Sequence, residues 1–266
     1  MVRATFNPQS FRRPLNLVRA DLSKAWLARI NLRRASASYA NLQEAQLWHA
    51  DLQGADFDGA NLQNANLLEA QLQEAQLQKA QLSRADLQGA SLVMAMLQGA
   101  QFLWAKLPYA DLRAADLQGA NLLVADLQGA NLVMAQLQNT QLQNTQLQNT
   151  QLQGARLLWA NFQNAQLQGA QLQNANLQNA QLQGADLQGA VLWGVDLSKA
   201  KNLTQDQIKE TCIDENTKFP EDLTTPAQGF GHLCPVKGVN PTLTLVANSS
   251  RHAYEDFWTM GARRLR

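Results

Sequence analysis

Histidine and cysteine, the residues that most often supply bases, nucleophiles and metal ligands, are few in this chain. It has three histidines and two cysteines in 266 residues. Cys212, His232 and Cys234 carry the donor atoms that zinc prefers. They contain no C-x-x-C pair, however, and a fourth ligand is missing. The pattern therefore predicts no metal site.

Catalytic arrangements of other kinds have no support in the sequence either. His49 has no matching nucleophile or metal ligand near it, which favours an exposed surface residue. The fifteen glycines are scattered and form no phosphate-binding loop. Carboxylates along the repeats occur singly, without a cleft that would perturb their pKa values. We expect no catalytic residue and no cofactor, so the chain is predicted not to be an enzyme.

The charge and hydropathy of the whole chain exclude further classes of protein. Its net charge is +1 and its pI is about 7.8, which argues against direct nucleic-acid binding. It has no run of about 18 apolar residues, so neither a transmembrane helix nor a membrane partner is expected. Residues 1–20 lack the apolar segment of a secretory signal, and two cysteines cannot build a disulfide framework. These features predict a cytoplasmic protein.

A five-residue repeat sets the position of nearly every side chain. One register covers residues 17–197 as 37 pentapeptides, without insertion or deletion. Its central position, which we call i, is leucine in 33 repeats, and position i−2 is alanine in 31. Position i−1 is mostly Asp, Asn, Gln or Ser, whereas i+1 and i+2 are mostly polar or glycine. The exceptions to leucine at i are Ala37, Phe57, Phe102 and Phe162.

This period fits neither a straight helix nor a straight strand. On an α-helix, leucines five residues apart are displaced by about 140°, so they do not form one face. On a straight strand, an odd period places alternate leucines on opposite faces. The pattern is satisfied if i−2, i−1 and i form a short extended segment and i+1 and i+2 turn a corner. Four corners close a square coil of about 20 residues, and about nine such coils stack into a rod.

The repeats resemble those of a known family. Units such as Ala20-Asp21-Leu22-Ser23-Lys24 and Ala120-Asn121-Leu122-Leu123-Val124 are similar to the A(D/N)LXX units of pentapeptide repeat proteins. The resemblance covers residues 15–200, about 70% of the chain. It implies an all-β fold, a right-handed quadrilateral β-helix. Glutamine at i−1 departs from the Asp or Asn that is usual in the family, but we expect the fold to tolerate it because glutamine can stack with neighbours in adjacent coils.

The two ends of the chain lie outside the repeat. Residues 1–14 form an N-terminal lead-in, and residues 15–200 the predicted β-helix. Thr204-Gln205-Asp206-Gln207 has the form of a capping box. It predicts a short helix through about Cys212 within a C-terminal cap, residues 201–223, that covers unpaired backbone groups of the last coil. Residues 224–266 show no period and are expected to be loosely ordered or disordered, with a short helix near 254–260.

Basic residues surround the opening coil. Residues 1–34 contain eight Lys or Arg against one acid, a net charge of +7. We interpret this rim either as a charged end that prevents rods from stacking or as a docking ring for an acidic partner or a phosphate backbone. The candidate basic rim consists of Arg19, Lys24, Arg29, Arg33 and Arg34.

An acidic zone follows the basic rim. Residues 35–78 contain six carboxylates and no Lys or Arg, a net charge of −6. The resemblance implies an alternative function here, because some family members mimic DNA with an acidic rod, bind gyrase and protect it against drugs. This chain departs from that type in two respects. Its acidic zone spans only about two coils, and the unbroken register leaves no room for projecting loops.

Apolar residues replace polar ones at outward positions between residues 93 and 134. Residues 20 positions apart stack in neighbouring coils, so Leu103 with Trp104 and Leu123 with Val124 share one face. Contiguous exposed apolar surface favours a contact site, and the alternatives are drift on a robust scaffold or cover by the tail. The candidate partner-binding residues are Val93, Met94, Leu103, Trp104, Tyr109, Leu123, Val124, Val133 and Met134.

These features predict a non-enzymatic structural or interaction protein. A rigid rod would present its surfaces to an unknown protein partner, and a weak homodimer is a further expectation. Ice binding, a third hypothesis, requires outward ladders of threonine. Thr140, Thr145 and Thr150 instead occupy the inward i−2 position, which argues against it.

Overall fold

Parallel pairing between residues 20 positions apart dominates the computed structural model, which describes residues 14–225. The same pairing occurs at every fifth residue without a gap, from Asn16 with Ser36 to Gln171 with Val191. Each side of a coil contributes an isolated bridge at i−1 and no longer strand. The chain thus winds into stacked four-sided coils. We number them from coil 1, residues 15–34, to coil 9, residues 175–194, and a partial tenth coil follows.

Every side of a coil ends in the same turn. The N–H at i−2 of one repeat donates to the carbonyl at i of the repeat before it, as Ala20 does to Leu17 at 2.9 Å. All i+2 residues from 19 to 194 have positive φ, for example 57° at Arg19 and 63° at Gly54. A positive φ at the third residue is typical of a type II turn. Glycine and asparagine adopt it readily, which explains why they are frequent at i+2.

Backbone hydrogen bonds connect each coil to the next. The N–H at i donates to the carbonyl at i−1 of the following coil, as Leu22 does to Asn41 at 2.7 Å. The N–H at i−1 donates back to the carbonyl at i−2 of the preceding coil, as Asn41 does to Ala20 at 2.9 Å. Internal coils therefore satisfy these backbone groups without help from side chains.

Leucine at i and alanine at i−2 fill the interior. Phe57 lies one coil away from Ala37 in the same column, so the small residue compensates for the volume of the large one. Thr140, Thr145 and Thr150 take the place of alanine and are buried. The Thr145 hydroxyl donates to the Leu122 carbonyl at 3.1 Å. These threonines therefore stabilise the core, as expected from their i−2 position, and do not form an outward ladder.

The residue at i−1 acts through its side chain. Where it is Asp or Asn, its oxygen accepts the N–H at i+1, as Asn121 does from Leu123 at 3.1 Å. Glutamine makes no such bond in the described residues; Gln101 Nε2 instead donates to the Gly99 carbonyl at 2.8 Å. Nine glutamines at i+1 have a buried Oε1 without a partner in the described region, and each follows Gln or Met at i−1. The fold thus tolerates glutamine at i−1, at the loss of one hydrogen bond per repeat.

After residue 200 the chain leaves the register but stays on the last complete coil. Helix α1, Gln205–Ile208, is a single turn. Its capping box forms as predicted, because the Thr204 and Gln207 side chains each accept the backbone N–H of the other residue. The prediction that the helix extends to about Cys212 is wrong. The Cys212 N–H donates to the carbonyl of Ala190 at 2.8 Å, which returns the chain to parallel pairing.

Side chains of this segment satisfy backbone carbonyls of coil 9. Gln207 Nε2 donates to the carbonyls of Leu182 and Ala185, both at 2.7 Å. The Thr217 hydroxyl donates to the carbonyl of Leu192 at 3.0 Å. Several apolar residues of the segment also join the core, namely Leu203, Ile208 and Ile213, with Phe219 and Leu223 partly buried against it.

Some predictions concern residues outside the described region. They are the lead-in before residue 14, the tail from residue 226 with the helix near 254–260, and the side chains of His232, Cys234 and His252. Within residues 14–225, no helix is long and apolar enough to cross a membrane.

Candidate protein-interaction surfaces

Trp104 and Val124 are the centre of an apolar surface on coils 5 and 6. The Trp104 N–H donates to the Leu123 carbonyl at 3.2 Å, which places the two repeats side by side. Trp104 is 47% exposed and Val124 is also exposed, whereas Leu103 and Leu123 are half-buried. The Arg84 guanidinium lies 4.8 Å from the centroid of the Trp104 ring and restricts it by a cation–π contact. We call Leu103, Trp104, Leu123 and Val124 the Trp104 patch.

A second group of the predicted residues is interrupted by an ion pair. The Met94 N–H donates to the carbonyl of Arg113 in the next coil at 3.0 Å. Asp111 holds the Arg113 side chain through bonds of 2.8 Å to Nε and 2.7 Å to Nη2. The hydrogen bonds and the charge of Asp111 raise the pKa of Arg113. The group therefore forms two separate apolar spots, Val93 with Met94 and Val133 with Met134.

Tyr109 is 67% exposed and lies over Gly129 of the next coil. A Cβ at Gly129 would stand 2.7 Å from Cε1 of the tyrosine. Tyr39 lies over Gly59 in the same way. Large side chains at i+2 thus lean toward the following coil, and glycine at the next i+2 leaves room for them.

The basic residues of coil 1 occupy its corners and are exposed. Lys24 Nζ lies 3.8 Å from Glu44 Oε2, and Arg33 Nη1 lies 3.2 Å from Asp51 Oδ2. Rim and acidic zone therefore partly neutralise each other, although exposed pairs of this kind contribute only about 1 kcal/mol or less to stability. The i+2 corners of coil 1 carry Arg19, Lys24, Arg29 and Arg34, and Arg33 precedes the last of them.

Other carboxylates of the acidic zone also contact neighbouring coils. Asp56 Oδ2 accepts the Ser38 hydroxyl at 2.6 Å. Glu69 Oε2 lies 3.2 Å from Nδ1 of His49, which is exposed as predicted. A DNA mimic needs a continuous outward series of negative charges. Five of the six carboxylates of residues 35–78 instead contact partners on the rod itself.

An aromatic cluster on coils 1 and 2 is not among the sites predicted from the sequence. Trp26 and Trp48 meet edge to face with ring centroids 6.0 Å apart, and Arg29 Cζ lies 5.1 Å from the Trp48 centroid. Trp26 is 63% exposed. Both tryptophans occupy outward positions, which is a visible signal in the sequence. Their separation is not 20 residues, however, so the stacking period does not predict that the two rings meet.

Ionisable side chains near the end of the rod serve the fold. Among the described residues, no group of His, Cys, Asp and Glu could hold a metal ion. Cys212 is disulfide-bonded, so its sulfur is not available as a thiolate ligand. Asp214 accepts the Gly194 N–H at 2.9 Å and the Thr217 hydroxyl at 2.8 Å. Partial burial raises the pKa of Asp214, but these hydrogen bonds outweigh it and leave the pKa below its ordinary value.

The coils match family models over most of their length. A model of pentapeptide repeats matches residues 16–47, 40–77 and 75–108, and a model of a pentapeptide repeat region matches residues 115–192. The chain belongs to the pentapeptide repeat family. No curated protein matches this pentapeptide repeat protein.

Solved structures of other pentapeptide repeat proteins are similar to this one. HetL, involved in heterocyst differentiation regulation in the cyanobacterium Nostoc sp. strain PCC 7120, is 31% identical with a TM-score of 0.51. The alignment covers 76% of this chain and 91% of HetL. Rfr23 from the cyanobacterium Cyanothece 51142 is 38% identical over 40% of this chain and 65% of its own, with a TM-score of 0.26. QnrB1, a plasmid-mediated fluoroquinolone resistance protein, is 19% identical over 64% of this chain and 85% of its own, with a TM-score of 0.48.

Proposed function

We propose that this pentapeptide repeat protein is a non-enzymatic interaction protein, a rigid right-handed β-helical rod that binds a protein partner. The Trp104 patch is the observation that carries the proposal. Its tryptophan is exposed but held by Arg84, so binding would cost little additional side-chain freedom. Tryptophan and arginine are also the residues that dominate binding energy at many interfaces. HetL, which is involved in regulation, is a relative whose role is compatible with such binding.

The alternative hypothesis, a DNA-mimicking protein that binds gyrase, has less support. Between residues 120 and 195 the only charged residues are Asp126, Arg156 and Asp186. Double-stranded DNA carries one negative charge per about 1.7 Å, so a mimic needs many more carboxylates. No insertion interrupts the register of residues 17–197 to form a projecting loop. The charge and the shape of the rod therefore favour a partner that recognises apolar surface.

Glutamine substitutions test the Trp104 patch without changing the core. Glutamine is the residue that the repeat itself prefers at i+1, so the variant with Leu103, Trp104, Leu123 and Val124 replaced should keep a nearly unchanged melting temperature. It should lose self-association in sedimentation experiments and partner capture by cross-linking in a lysate of the source organism. The control variant replaces Arg19, Lys24, Arg29 and Arg34 by glutamine. If the control loses binding while the patch variant keeps it, the partner is held by the rim and the proposal is wrong.

We also propose that residues 201–223 act as a C-terminal cap. Gln207 and Thr217 supply donors to carbonyls of coil 9, which supports this role. A chain that ends at residue 200 should expose these carbonyls and associate, whereas a chain that ends at residue 239 should behave like the full protein. Sedimentation velocity distinguishes the two, and a monomeric 1–200 chain would contradict the proposal.

A further inference from the structure

The two ends of the β-helix differ in how their backbone groups are satisfied. At the C-terminal end, residues 201–218 supply partners for the carbonyls of coil 9. At the N-terminal end, the N–H groups of Asp21, Trp26 and Asn31 have no hydrogen-bond partner in the described part of the chain. The equivalent N–H of Gln46 in coil 2 donates to coil 1 at 2.9 Å. Within residues 14–225, coil 1 therefore ends in a β-edge whose N–H groups are unpaired.

The same edge presents acceptors as well as donors. In later coils, the carbonyl at i−1 accepts an N–H from the coil before it, as Asn41 does from Leu22 at 2.7 Å. The carbonyls of Asp21, Trp26 and Asn31 accept no such bond within the region that the structure describes. These residues lie on three different sides of coil 1, and each offers both an N–H and a carbonyl, so a short β-strand can pair with one side.

Incompletely covered apolar side chains lie beside the edge. Leu17 and Leu22 of coil 1 are half-buried, whereas Leu27 and Leu32 of the same coil and the leucines at i in coils 2 to 9 are buried. Val18 and Trp26 are exposed, and Trp48 packs against Trp26. A bound segment would therefore cover apolar surface in addition to the backbone groups.

The net positive charge of coil 1 favours a partner with negative charge. Residues 14–34 contain five Lys or Arg and one acid, a net charge of +4. Arg19, Arg29 and Arg34 form no ion pair within residues 14–225, unlike Lys24 and Arg33, which pair with carboxylates of coil 2. A strand that pairs with coil 1 would place its side chains close to these guanidinium groups, so acidic side chains would gain the most.

We propose that the N-terminal end of the β-helix binds an extended acidic peptide segment of another protein, which pairs as a short β-strand with one side of coil 1. Backbone pairing with Trp26, on the side that carries the exposed indole, supplies part of the affinity, as in other cases of strand addition. The indole of Trp26 and the basic rim select a segment in which apolar and acidic residues alternate. This site lies apart from the Trp104 patch, so either site can fail without the other.

Other occupants fit these observations less well. A second copy of the chain would bring the same basic rim, and the two rims would repel each other. A nucleic acid would match the charge, but its phosphodiester backbone has no N–H to donate to the carbonyls of coil 1. An acidic peptide satisfies the donors, the acceptors and the charge together.

The test uses the full-length protein and a labelled synthetic peptide of about ten alternating valine and glutamate residues, the length of a long strand. Fluorescence anisotropy should show saturable binding that weakens with salt, and hydrogen exchange should slow at the amide of Trp26 and much less at those of Asp21 and Asn31. Trp26→Gln should weaken binding about tenfold or more. The matched control, Trp159→Gln, changes another exposed tryptophan on coil 8 and should leave binding unchanged.

Further probes separate the proposal from the alternatives. A peptide with lysine in place of glutamate should not bind, and an acidic peptide with N-methylated amides should bind about tenfold more weakly because it cannot pair as a strand. The double variant of Arg19→Gln and Arg34→Gln removes charge without touching a packed ring, and it should also weaken binding. Absence of binding, equal binding of the N-methylated peptide, or tighter binding of oligothymidylate would overturn the proposal. Binding only after deletion of residues 1–13 would overturn it too, since the edge would then belong to the chain's own N-terminus.

Discussion

Replacing Gly129 by alanine measures how firmly Tyr109 packs on the surface of the rod. The new Cβ would lie 2.7 Å from Cε1 and 2.8 Å from Cδ1 of the ring, so the ring must swing away. Tyr109 is 67% exposed, so about a third of its surface is covered. At about 200 Å² for the whole ring and about 25 cal/mol per Å², exposing this covered part costs about 1.5 kcal/mol. The φ of +67° adds about 1 kcal/mol of strain for alanine. We expect a total loss of stability of about 2.5 kcal/mol.

Gly119 is the matched control for this substitution. It has a φ of +64°, and its Cβ would meet no atom within 4 Å. Gly119→Ala should therefore cost only the strain of about 1 kcal/mol. In a Tyr109→Ala background, Gly129→Ala should fall to the same cost, because the ring is absent. Free energies of unfolding from denaturant melts give the comparison, and equal costs in the wild-type background, or an excess that persists without the ring, would refute the reasoning.

Three further predictions test the repeat and its end. Leu122→Asp should cost several kcal/mol of stability because it buries an unpaired carboxylate, whereas Leu123→Asp, at a half-buried position, should cost much less. Equal losses of stability in denaturant melts would show that the register is wrong. Gln146→Asn should stabilise the protein by about 0.5 kcal/mol, because the new side chain can accept a hydrogen bond from the N–H at i+1. Asn121→Gln should destabilise it to a similar extent, because it removes such a bond. Thermal melts that change in neither variant would contradict this role of the residue at i−1. The lowered pKa of Asp214 means that its contribution to stability is complete above its unfolded value of about 4 and disappears as the pH falls through the folded value. The hydrogen-exchange protection of residues 194–218, corrected for the intrinsic exchange rate at each pH, should therefore fall in acid, and Asp214→Asn should remove most of that pH dependence.

The stacked-coil architecture, the family and the nine complete coils could be predicted from the sequence because the core repeats in one dimension. Nearly every repeat places one large and one small apolar side chain inside, and neither a straight helix nor a straight strand could bury them every five residues. The capping box was equally accessible, since Thr204 and Gln207 are only three residues apart and interact locally. A structural feature that depends only on residues of the same turn can therefore be predicted from the local sequence.

Surface contacts depended on the tertiary structure, because they join side chains from different coils whose directions the repeat does not specify. Trp26 meets Trp48 across coils although the two are out of phase with the stacking period. Asp111 and Arg113 form an ion pair between the apolar spots at Met94 and Met134, a contact that the repeat pattern does not specify. The helix ends at Ile208 because pairing with coil 9 competes for the following residues. Local periodicity fixes which residues point outward, whereas the distance and tilt between coils decide which of them touch.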